Sequence, residues 1–298
     1  MYHSVVALIS RTHATLIDLA RLYTDDRFRD HVVGRVIDPE TQRFWLEEFP
    51  SYTKSLRSEA VAPVLNKVGQ IAASPQLRLI LGQVAPRFNL GFTMSRQRIL
   101  IANLAKGAIG EQAANLLGSL LVSHLQLLAM ERGSVPPERR TPFFVHIDEM
   151  QTLSSTAFAA LFSEARKFAC YFCCGNQFLA QLSNAVRQAI IGNAGTLVVF
   201  RVGSEDAGLL APEFAVGTLD AGLMLSPENR PVVAGDLASQ EPFTAWMRRG
   251  IERDHVSVEQ KQYLGRGTAE LIRDQSRQRF GRSRGAIERQ SRLPLRRM

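Results

Sequence analysis

The chain has 298 residues, 45% of them hydrophobic and 21% charged, and it carries a formal net charge of +8. This is the composition of an ordinary soluble globular protein, and the length suits one large domain or two small ones. A membrane span is not predicted, because no apolar run reaches about 18 uninterrupted residues. The longest, Leu116 to Met130, contains four polar residues, and no signal peptide is visible at the N-terminus.

Residues 1–95 predict a helical lobe. The apolar pattern starts at Val5 with little capping before it, which indicates a chain that enters inside an existing fold. The segments between residues 27 and 82 are helical and fairly polar, and prolines punctuate them. Residues 60–73 are the best defined of these helices, because their apolar positions recur at helical spacing on one face.

From residue 96 to residue 250 the pattern alternates between strands and helices. Strands are predicted at 98–104, 143–149, 169–174, 196–201 and 242–247, and helices at 113–130, 156–168, 177–191 and 204–214. Such alternation is typical of an α/β fold with a doubly wound, mostly parallel sheet. We expect this region to be the core of the protein.

Residues 251–298 form a basic C-terminal tail. Its last 35 residues hold ten arginines and three acidic residues, so they carry +7 of the total charge and leave the body nearly neutral. An arginine-rich tail can bind nucleic acid or anionic lipid through its charge. A solvated, partly helical extension is the alternative interpretation.

The most informative stretch is the apolar run 143–147, which ends in the adjacent carboxylates Asp148 and Glu149. A short apolar run predicts a buried parallel strand, and α/β proteins place ligands at the carboxyl ends of such strands. In phosphate-loop nucleoside triphosphatases, a carboxylate pair there helps to hold Mg²⁺ and polarises the attacking water. The alternative is that the acids only cap the next helix.

The usual partner of that motif is missing, because no Gly-x-x-x-x-Gly-Lys-Ser/Thr occurs in the 298 residues. Lys106 lies in a glycine-containing turn whose composition resembles a phosphate-binding loop, but the spacing is wrong. His146 and Asp148 could face the same way on one strand, yet no third metal ligand is apparent. The sequence therefore predicts half of an ATP-hydrolysing site.

Three further side chains could take part in phosphate chemistry. Gln177 follows the strand at 169–174 and would lie level with the carboxylate pair, where an amide can sense a γ-phosphate or orient water. Arg166, beside Lys167 at a helix end, could reach a neighbouring subunit's nucleotide as an arginine finger, with Arg201 as a rival. A turn residue and solvated cations at a helix end are the alternatives.

The three cysteines are Cys170, Cys173 and Cys174. A Cys-x-x-Cys pair can bind zinc or do redox work, but zinc needs further ligands, and no histidine or cysteine cluster follows. The flanking residues predict a buried strand, in which a free cysteine acts as a small hydrophobe. A reducing, cytoplasmic setting is consistent with this.

Taken in order, the motifs resemble the C-terminal half of the HerA/FtsK-type motor ATPases, most closely the conjugative coupling proteins of the TraD/TraG kind and their type IV secretion relatives. The segments that carry the resemblance are 99–111 (ILIANLAKGAIGE), 143–151 (FFVHIDEMQ), 163–167 (SEARK), 176–182 (NQFLAQL), 192–196 (GNAGT) and 200–207 (FRVGSEDA). The resemblance extends over roughly residues 15–290. The resemblance implies a RecA-like core, ATP and Mg²⁺ as ligands, and a homo-oligomeric ring of about six subunits that moves DNA through its channel.

The same resemblance implies roles for individual residues. Asp148 would hold Mg²⁺ through water, Glu149 would activate the attacking water, and Gln177 would sense the γ-phosphate. Arg166 matches the position of an arginine finger that acts on a neighbouring subunit. The lobe at 27–82 corresponds to a helical insertion in the ATPase domain.

The family's phosphate loop lies upstream of these motifs, so the resemblance implies a chain truncated at its N-terminus. We therefore expect weak ATP binding and no hydrolysis by the isolated chain. Relaxosome or secretion-channel proteins would be its partners, and the cytoplasm, at the periphery of the inner membrane, its location. The alternatives are a non-catalytic module that binds DNA or a partner, a HerA-type DNA-processing translocase, and an unrelated metal-dependent phosphoesterase.

Overall fold

The structure is a computed structural model that describes residues 1–153, 156–215, 232–259, 265 and 267–291. The chain divides into two compact units. The first comprises Met1–Asn89, Ala105–Ala113 and the described part of the stretch from residue 267 onward. The second comprises Leu90–Leu104 and the described part of residues 114–266. The predicted boundaries at residues 95 and 250 stay a prediction.

Helices dominate both units. In chain order they are α1 (Tyr2–Ile9), α2 (Asp18–Thr24), α3 (Asp26–Val33), α4 (Pro39–Arg43), α5 (Phe49–Ser51), α6 (Lys54–Ala73), α7 (Pro75–Leu81), α8 (Leu90–Ser95), α9 (Lys106–Ile109), α10 (Glu111–Glu131), α11 (Thr156–Glu164), α12 (Asn184–Asn193), α13 (Ser204–Ala215), α14 (Ala234–Ala238), α15 (Ala269–Phe280) and α16 (Arg284–Ser291). Short 3₁₀ segments include Met150–Leu153, Ala165–Phe168 and Leu179–Gln181, and Phe44–Glu48 is π-helical.

The strands form two sheets. They are β1 (Phe143–Ile147), β2 (Cys170–Cys174), β3 (Thr196–Val199), β4 (Thr244–Arg249) and β5 (Glu252–Ser257). β1 and β2 pair in parallel, with Phe143 opposite Cys170 and Ile147 opposite Cys174. β3, β4 and β5 form an antiparallel sheet in that order. The antiparallel pairing of β3 with β4 differs from the predicted parallel arrangement. The unpredicted strand β5 is antiparallel to β4 because the tight Arg249–Glu252 hairpin turns the chain back.

The first unit is the helical lobe that the sequence predicts. Its core is an aromatic cluster in which the Trp45 and Phe49 rings lie 4.9 Å apart, with Tyr23 and Phe44 beside them. α6 begins where the Thr53 side chain accepts a hydrogen bond from the Leu56 amide, a typical helix cap. The helix then buries Val61 and Val68 against the cluster.

The long helix α10 lies at the centre of the second unit's core. It places Val122, Leu125 and Ala129 in one cluster with Ile147 of β1 and Phe158 of α11. The stretch Glu111–Ser134 is long and apolar enough to cross a membrane by length and composition. Val122, Leu125 and Ala129 on this helix are buried in the core.

The two faces of the β1–β2 sheet differ in burial, because side chains alternate along a strand. Phe143, Val145 and Ile147 pack into the core together with Phe172 and Cys174 of β2. On the other face Phe144 and Tyr171 are exposed, and their rings stack 5.3 Å apart. Helices α10 and α11 pack on the buried face of this two-stranded sheet. The carboxylate motif follows its first strand, β1.

Two predicted elements are corrected by the structure. Residues 98–104 are not a strand, because none of the described strands pairs with them, and Ile99 and Ile101 are largely exposed. The helix predicted from residue 177 begins only at Asn184, since the Ser183 side chain caps it there by accepting a hydrogen bond from Val186 N. The intervening residues form a 3₁₀ turn at Leu179–Gln181.

Candidate nucleotide site

The carboxylate pair lies directly after β1, as the sequence predicts. Five residues of β1 end at buried Ile147, and Asp148 and Glu149 follow, both exposed. The loop Gly175–Asn176–Gln177 follows β2 in the same way. Because the two strands are parallel and in register, both segments lie at one edge of the sheet.

Backbone hydrogen bonds beyond the strand ends hold these segments together. Gly175 N donates to Ile147 O at 2.8 Å, and Met150 N donates to Gly175 O at 3.0 Å. A Cβ atom at Gly175 would lie 3.2 Å from Asp148 Oδ1, so any larger residue here would make that carboxylate shift by a few tenths of an ångström. The missing side chain therefore lets Asp148 lie against the neighbouring loop.

Glu149 has an unusual backbone conformation. Its φ angle is +50°, a left-handed value that is uncommon for a residue with a side chain. The Glu149 amide donates a hydrogen bond of 3.0 Å to Asp148 Oδ1, which orients the Asp148 carboxylate toward the backbone of Glu149. Strained residues of this kind concentrate at functional sites, because the surrounding structure must hold them in place.

The loop after β2 contributes amide groups to the same edge. The Asn176 side-chain oxygen is buried and has no hydrogen-bond partner among the described residues, whereas Gln177 is exposed. Nothing in the sequence but its position after β2 marks Asn176. A buried oxygen without a protein partner at this end of the sheet suits a bound water molecule.

The donor set is compatible with Mg²⁺ bound together with phosphate. Among the described residues, no group of three histidine, cysteine or acidic side chains could hold a metal ion. Mg²⁺ in phosphate-transfer sites needs only one or two carboxylates, since waters and substrate phosphates complete its octahedron. Asp148 and Glu149 satisfy that requirement, whereas a metal site built from His146 and Asp148 lacks a third ligand.

Asp206 positions the segment that follows the site. It is buried at the start of α13, and its Oδ2 accepts a hydrogen bond of 3.0 Å from the Leu179 amide. Asp206 lies in the predicted helix 204–214, and no local pattern indicates this longer-range contact. It ties the chain after Gln177 to the helix that follows β3.

We expect Asp206→Ala to destabilise the protein by about 1–3 kcal/mol, because the Leu179 amide would lose a charged acceptor. Urea denaturation followed by circular dichroism measures this change. Glu205→Ala is the matched control, since Glu205 is exposed one residue earlier, and it should cost less than about 1 kcal/mol. Equal losses in the two variants would contradict the assigned contact.

Arg166 lies at the amino-terminal end of the β1–β2 strands, opposite the end that carries the carboxylates. It belongs to the 3₁₀ segment Ala165–Phe168, which precedes β2, whereas Asp148 follows β1. The six-residue rise from Ala169 to Gly175 separates the two edges by about 20 Å. Exposed Arg166 therefore cannot contact the carboxylates of its own chain, and any role in their chemistry requires another subunit.

Arg201 and Lys106, the other two cationic side chains considered for phosphate chemistry, follow different elements of the fold. Arg201 is exposed just after β3 and precedes α13. Lys106 begins the four-residue helix α9, where its Nζ lies 4.0 Å from Glu111 Oε1. Lys106 belongs to the first unit and the carboxylate pair to the second.

The cysteines on β2 follow the alternation of the strand. Cys170 is buried and Cys174 is half-buried on the core face, whereas Cys173 is exposed on the other face. Burial, with a smaller contribution from Cys173, raises the pKa of Cys174 to about 12. Burial also raises the pKa of Cys170, against the opposing effect of Arg132. These settings favour the structural interpretation of the cysteines.

At pH 8 we expect iodoacetamide to modify Cys173 first. The thiolate is the reactive form, and a thiol with a pKa near 12 is almost entirely protonated at pH 8. In the native state Cys174 should therefore react at least roughly 1,000-fold more slowly than an exposed thiol of ordinary pKa. Peptide mass spectrometry at timed intervals measures the three rates, with guanidinium-unfolded protein as the control. Equal native rates would contradict the described burial.

Solved structures of a bacterial coupling protein share this fold. The plasmid coupling protein TrwB in complex with ADP and Mg²⁺ is 16% identical, with a TM-score of 0.52 over 89% of this chain and 69% of TrwB. TrwB with a non-hydrolysable ATP analogue gives 15% identity, and so does its unbound monoclinic form, each with a TM-score of 0.52 and the same coverage. No protein-family model matches the sequence, and no curated protein sequence matches it.

The comparison confirms the predicted α/β, RecA-like fold class and, at the level of the fold, the resemblance that the motifs indicate. The first and second units together supply the match, since it extends over 89% of the chain. This chain therefore has the fold of the plasmid coupling protein TrwB.

Proposed function

We propose that this chain is the C-terminal portion of an ATP-driven, DNA-translocating motor of the conjugative coupling-protein kind. The observation that carries the proposal is the paired edge of β1 and β2, where Asp148, strained Glu149 and Gln177 lie at the ligand-binding end of a coupling-protein fold. The TrwB complexes with an ATP analogue and with ADP and Mg²⁺ support ATP and Mg²⁺ as the ligands.

Asp148, Glu149 and Gln177 would each have a separate role in ATP hydrolysis. Asp148 would hold the metal's water shell, and Gly175 keeps room for that carboxylate. Glu149 would accept a proton from the attacking water, and Gln177 would donate a hydrogen bond to the terminal phosphate. When bound, Mg²⁺ supplies positive charge that offsets the charge developing on the phosphate oxygens.

Arg166 would act on the nucleotide of a neighbouring subunit. Its separation of about 20 Å from the edge that carries its own carboxylates excludes a role in its own site. A ring of about six identical subunits would bring this cation to the next nucleotide. The ring, the DNA substrate, the relaxosome or secretion-channel partners, and a cytoplasmic location at the periphery of the inner membrane are parts of the same proposal.

The proposal includes a functional limit for the isolated chain. The 298 residues contain no phosphate-loop motif, and the loop's backbone amides and lysine provide much of the phosphate binding in this class. The isolated chain should therefore bind ATP weakly and hydrolyse it poorly. This limit favours a second candidate function, a non-catalytic module that binds DNA or a partner through its arginine-rich tail.

Metal binding in the presence of ATP tests the site. Titration with Mn²⁺, followed by electron paramagnetic resonance, should show weak binding that Asp148→Asn reduces roughly tenfold. Asp254→Asn is the matched control, because Asp254 is an exposed carboxylate on β5, and it should leave the affinity unchanged. If Asp148→Asn and Asp254→Asn bind Mn²⁺ equally, Asp148 is not a metal ligand and the motor proposal loses its main support.

A further inference from the structure

The loop between α10 and β1 lies against the 3₁₀ segment that carries Arg166. Arg140 is half-buried near the end of this loop, and its guanidinium donates hydrogen bonds to three backbone carbonyl groups. Two of the acceptors, Val135 O at 2.7 Å and Gly133 O at 3.3 Å, belong to the loop itself. The third is Lys167 O, in the residue that follows Arg166. Arg140 therefore joins the loop to the backbone beside Arg166.

Arg132, at the start of the same loop, holds the residue that follows the 3₁₀ segment. Its side chain donates hydrogen bonds to Ala169 O at 3.4 Å and to Thr141 O. Ala169 O also accepts a hydrogen bond of 2.9 Å from Phe143 N, at the start of β1. The end of the segment is therefore attached both to the loop and to the sheet.

Ala169 has a left-handed backbone conformation. Its φ angle is +55°, which is uncommon for a residue with a side chain. Its amide donates a hydrogen bond of 3.1 Å to Arg166 O, which closes the segment before β2 begins. A conformation of this kind costs free energy and persists only where surrounding contacts hold it. The hydrogen bonds from Arg132 and Phe143 to Ala169 O are such contacts.

The Arg166 side chain itself is exposed, and it makes no hydrogen bond or ion pair with the described residues. On its N-terminal side Ala165 is 2% exposed and belongs to the core. Lys167 differs, because its Nζ lies 3.8 Å from Glu164 Oε1. A cation on a held backbone loses less conformational freedom when it meets a charge outside its own chain than a cation on a loose segment does.

We infer that Arg140 is a positioning residue that holds Arg166 in place to meet the nucleotide of a neighbouring subunit. The inference rests on the proposed function, because that nucleotide is part of the proposal. Arginine is suited to position 140 because its planar guanidinium presents several N–H groups at once to carbonyls of two segments. Lysine would keep the charge, but its compact ammonium group does not reproduce that fork.

Self-association of the full chain in the presence of nucleotide tests the inference. Sedimentation velocity compares the chain with and without Mg²⁺ and millimolar adenylyl imidodiphosphate, a non-hydrolysable ATP analogue. Arg166→Ala and Arg140→Lys should each weaken the analogue-dependent association roughly tenfold. Arg139→Gln is the matched control, because Arg139 is an exposed arginine of the same loop whose side chain makes no contact with the described residues. It should leave the association unchanged.

A double variant separates positioning from a general effect on the fold. Because Arg140 acts through Arg166, Arg140→Lys combined with Arg166→Ala should weaken the association no more than Arg166→Ala alone. Additive losses would overturn the inference, and so would a chain that does not associate with the analogue. If Asp148→Asn abolishes the association while Arg140→Lys and Arg166→Ala do not, the nucleotide site stands and the inference is wrong. No dependence on any of the three residues would overturn both.

Amide hydrogen exchange followed by NMR reports the positioning without nucleotide. The Ala169 amide, which is bonded to Arg166 O, should exchange roughly tenfold faster in Arg140→Lys than in the unchanged chain. Arg132→Lys loosens the same segment from its other contact and should act in the same way. The amides of β4 should keep their rates in both variants, which shows that the fold is intact. An unchanged rate at Ala169 in both variants would overturn the inference.

Discussion

Replacing Phe158 with alanine should lower the free energy of unfolding by about 3–5 kcal/mol. Phe158 is 1% exposed, and its ring centre lies 5.9 Å from that of Phe162 and 6.2 Å from that of Phe172 on β2. Removing the ring would leave a cavity under the sheet that carries the carboxylate pair, because a packed core relaxes only partly around it. Guanidinium denaturation followed by circular dichroism measures the loss.

The matched control is Phe144→Ala, which removes the same side chain from the open face of the same sheet. Phe144 is 65% exposed and loses only its stacking on Tyr171, so the expected cost is about 1 kcal/mol. Equal costs at the two positions would show that the core does not lie between α11 and β2.

The second large effect is expected for Gly175→Val, which should weaken Mn²⁺ binding in the presence of ATP roughly tenfold or more. A Cβ atom at residue 175 would already lie 3.2 Å from Asp148 Oδ1, and the two γ-methyl groups of valine need still more room. The carboxylate must then move from its position beside the loop. Electron paramagnetic resonance of bound Mn²⁺ reports that movement directly.

Gly203→Val serves as the control for Gly175→Val. Gly203 lies in the loop after β3, and a Cβ atom there would meet nothing within 4 Å. Its variant should bind Mn²⁺ as the unchanged protein does. If Gly175→Val retains full Mn²⁺ affinity while remaining folded, the contact between residue 175 and Asp148 is not part of the site.

The sequence predicted those parts of the fold that depend on local pattern. The apolar runs that became β1 and β2 were found because a buried parallel strand is apolar throughout. The long helix α10 was found from its repeating leucines. Since Asp148 and Glu149 directly follow the first of these runs, their place at the sheet edge followed from the same pattern.

The errors come from contacts between distant residues, which local pattern does not contain. Residues 98–104 have the composition of a strand, yet a strand also requires a neighbouring one to pair with. The hairpin that forms β5 was missed because Glu252–Ser257 is mostly polar and exposed, so it lacks the apolar alternation of a half-buried strand.

In the candidate site, too, some features follow from local sequence and others depend on contacts between distant residues. Its acidic residues could be named from the sequence, but the close contact of residue 175 with Asp148 depends on the approach of two strand ends, which only the structure shows. The Asp206 contact to Leu179 joins residues 27 positions apart.

The most direct test of the account is DNA-stimulated ATP hydrolysis by the purified 298-residue chain, with Glu149→Gln as the control. We expect the two proteins to show the same background rate, because the chain holds the carboxylate half of the site but no phosphate-loop motif. DNA-stimulated turnover that disappears in Glu149→Gln would contradict the account. It would show that the 298 residues form a complete catalytic site whose phosphate contacts come from a different loop.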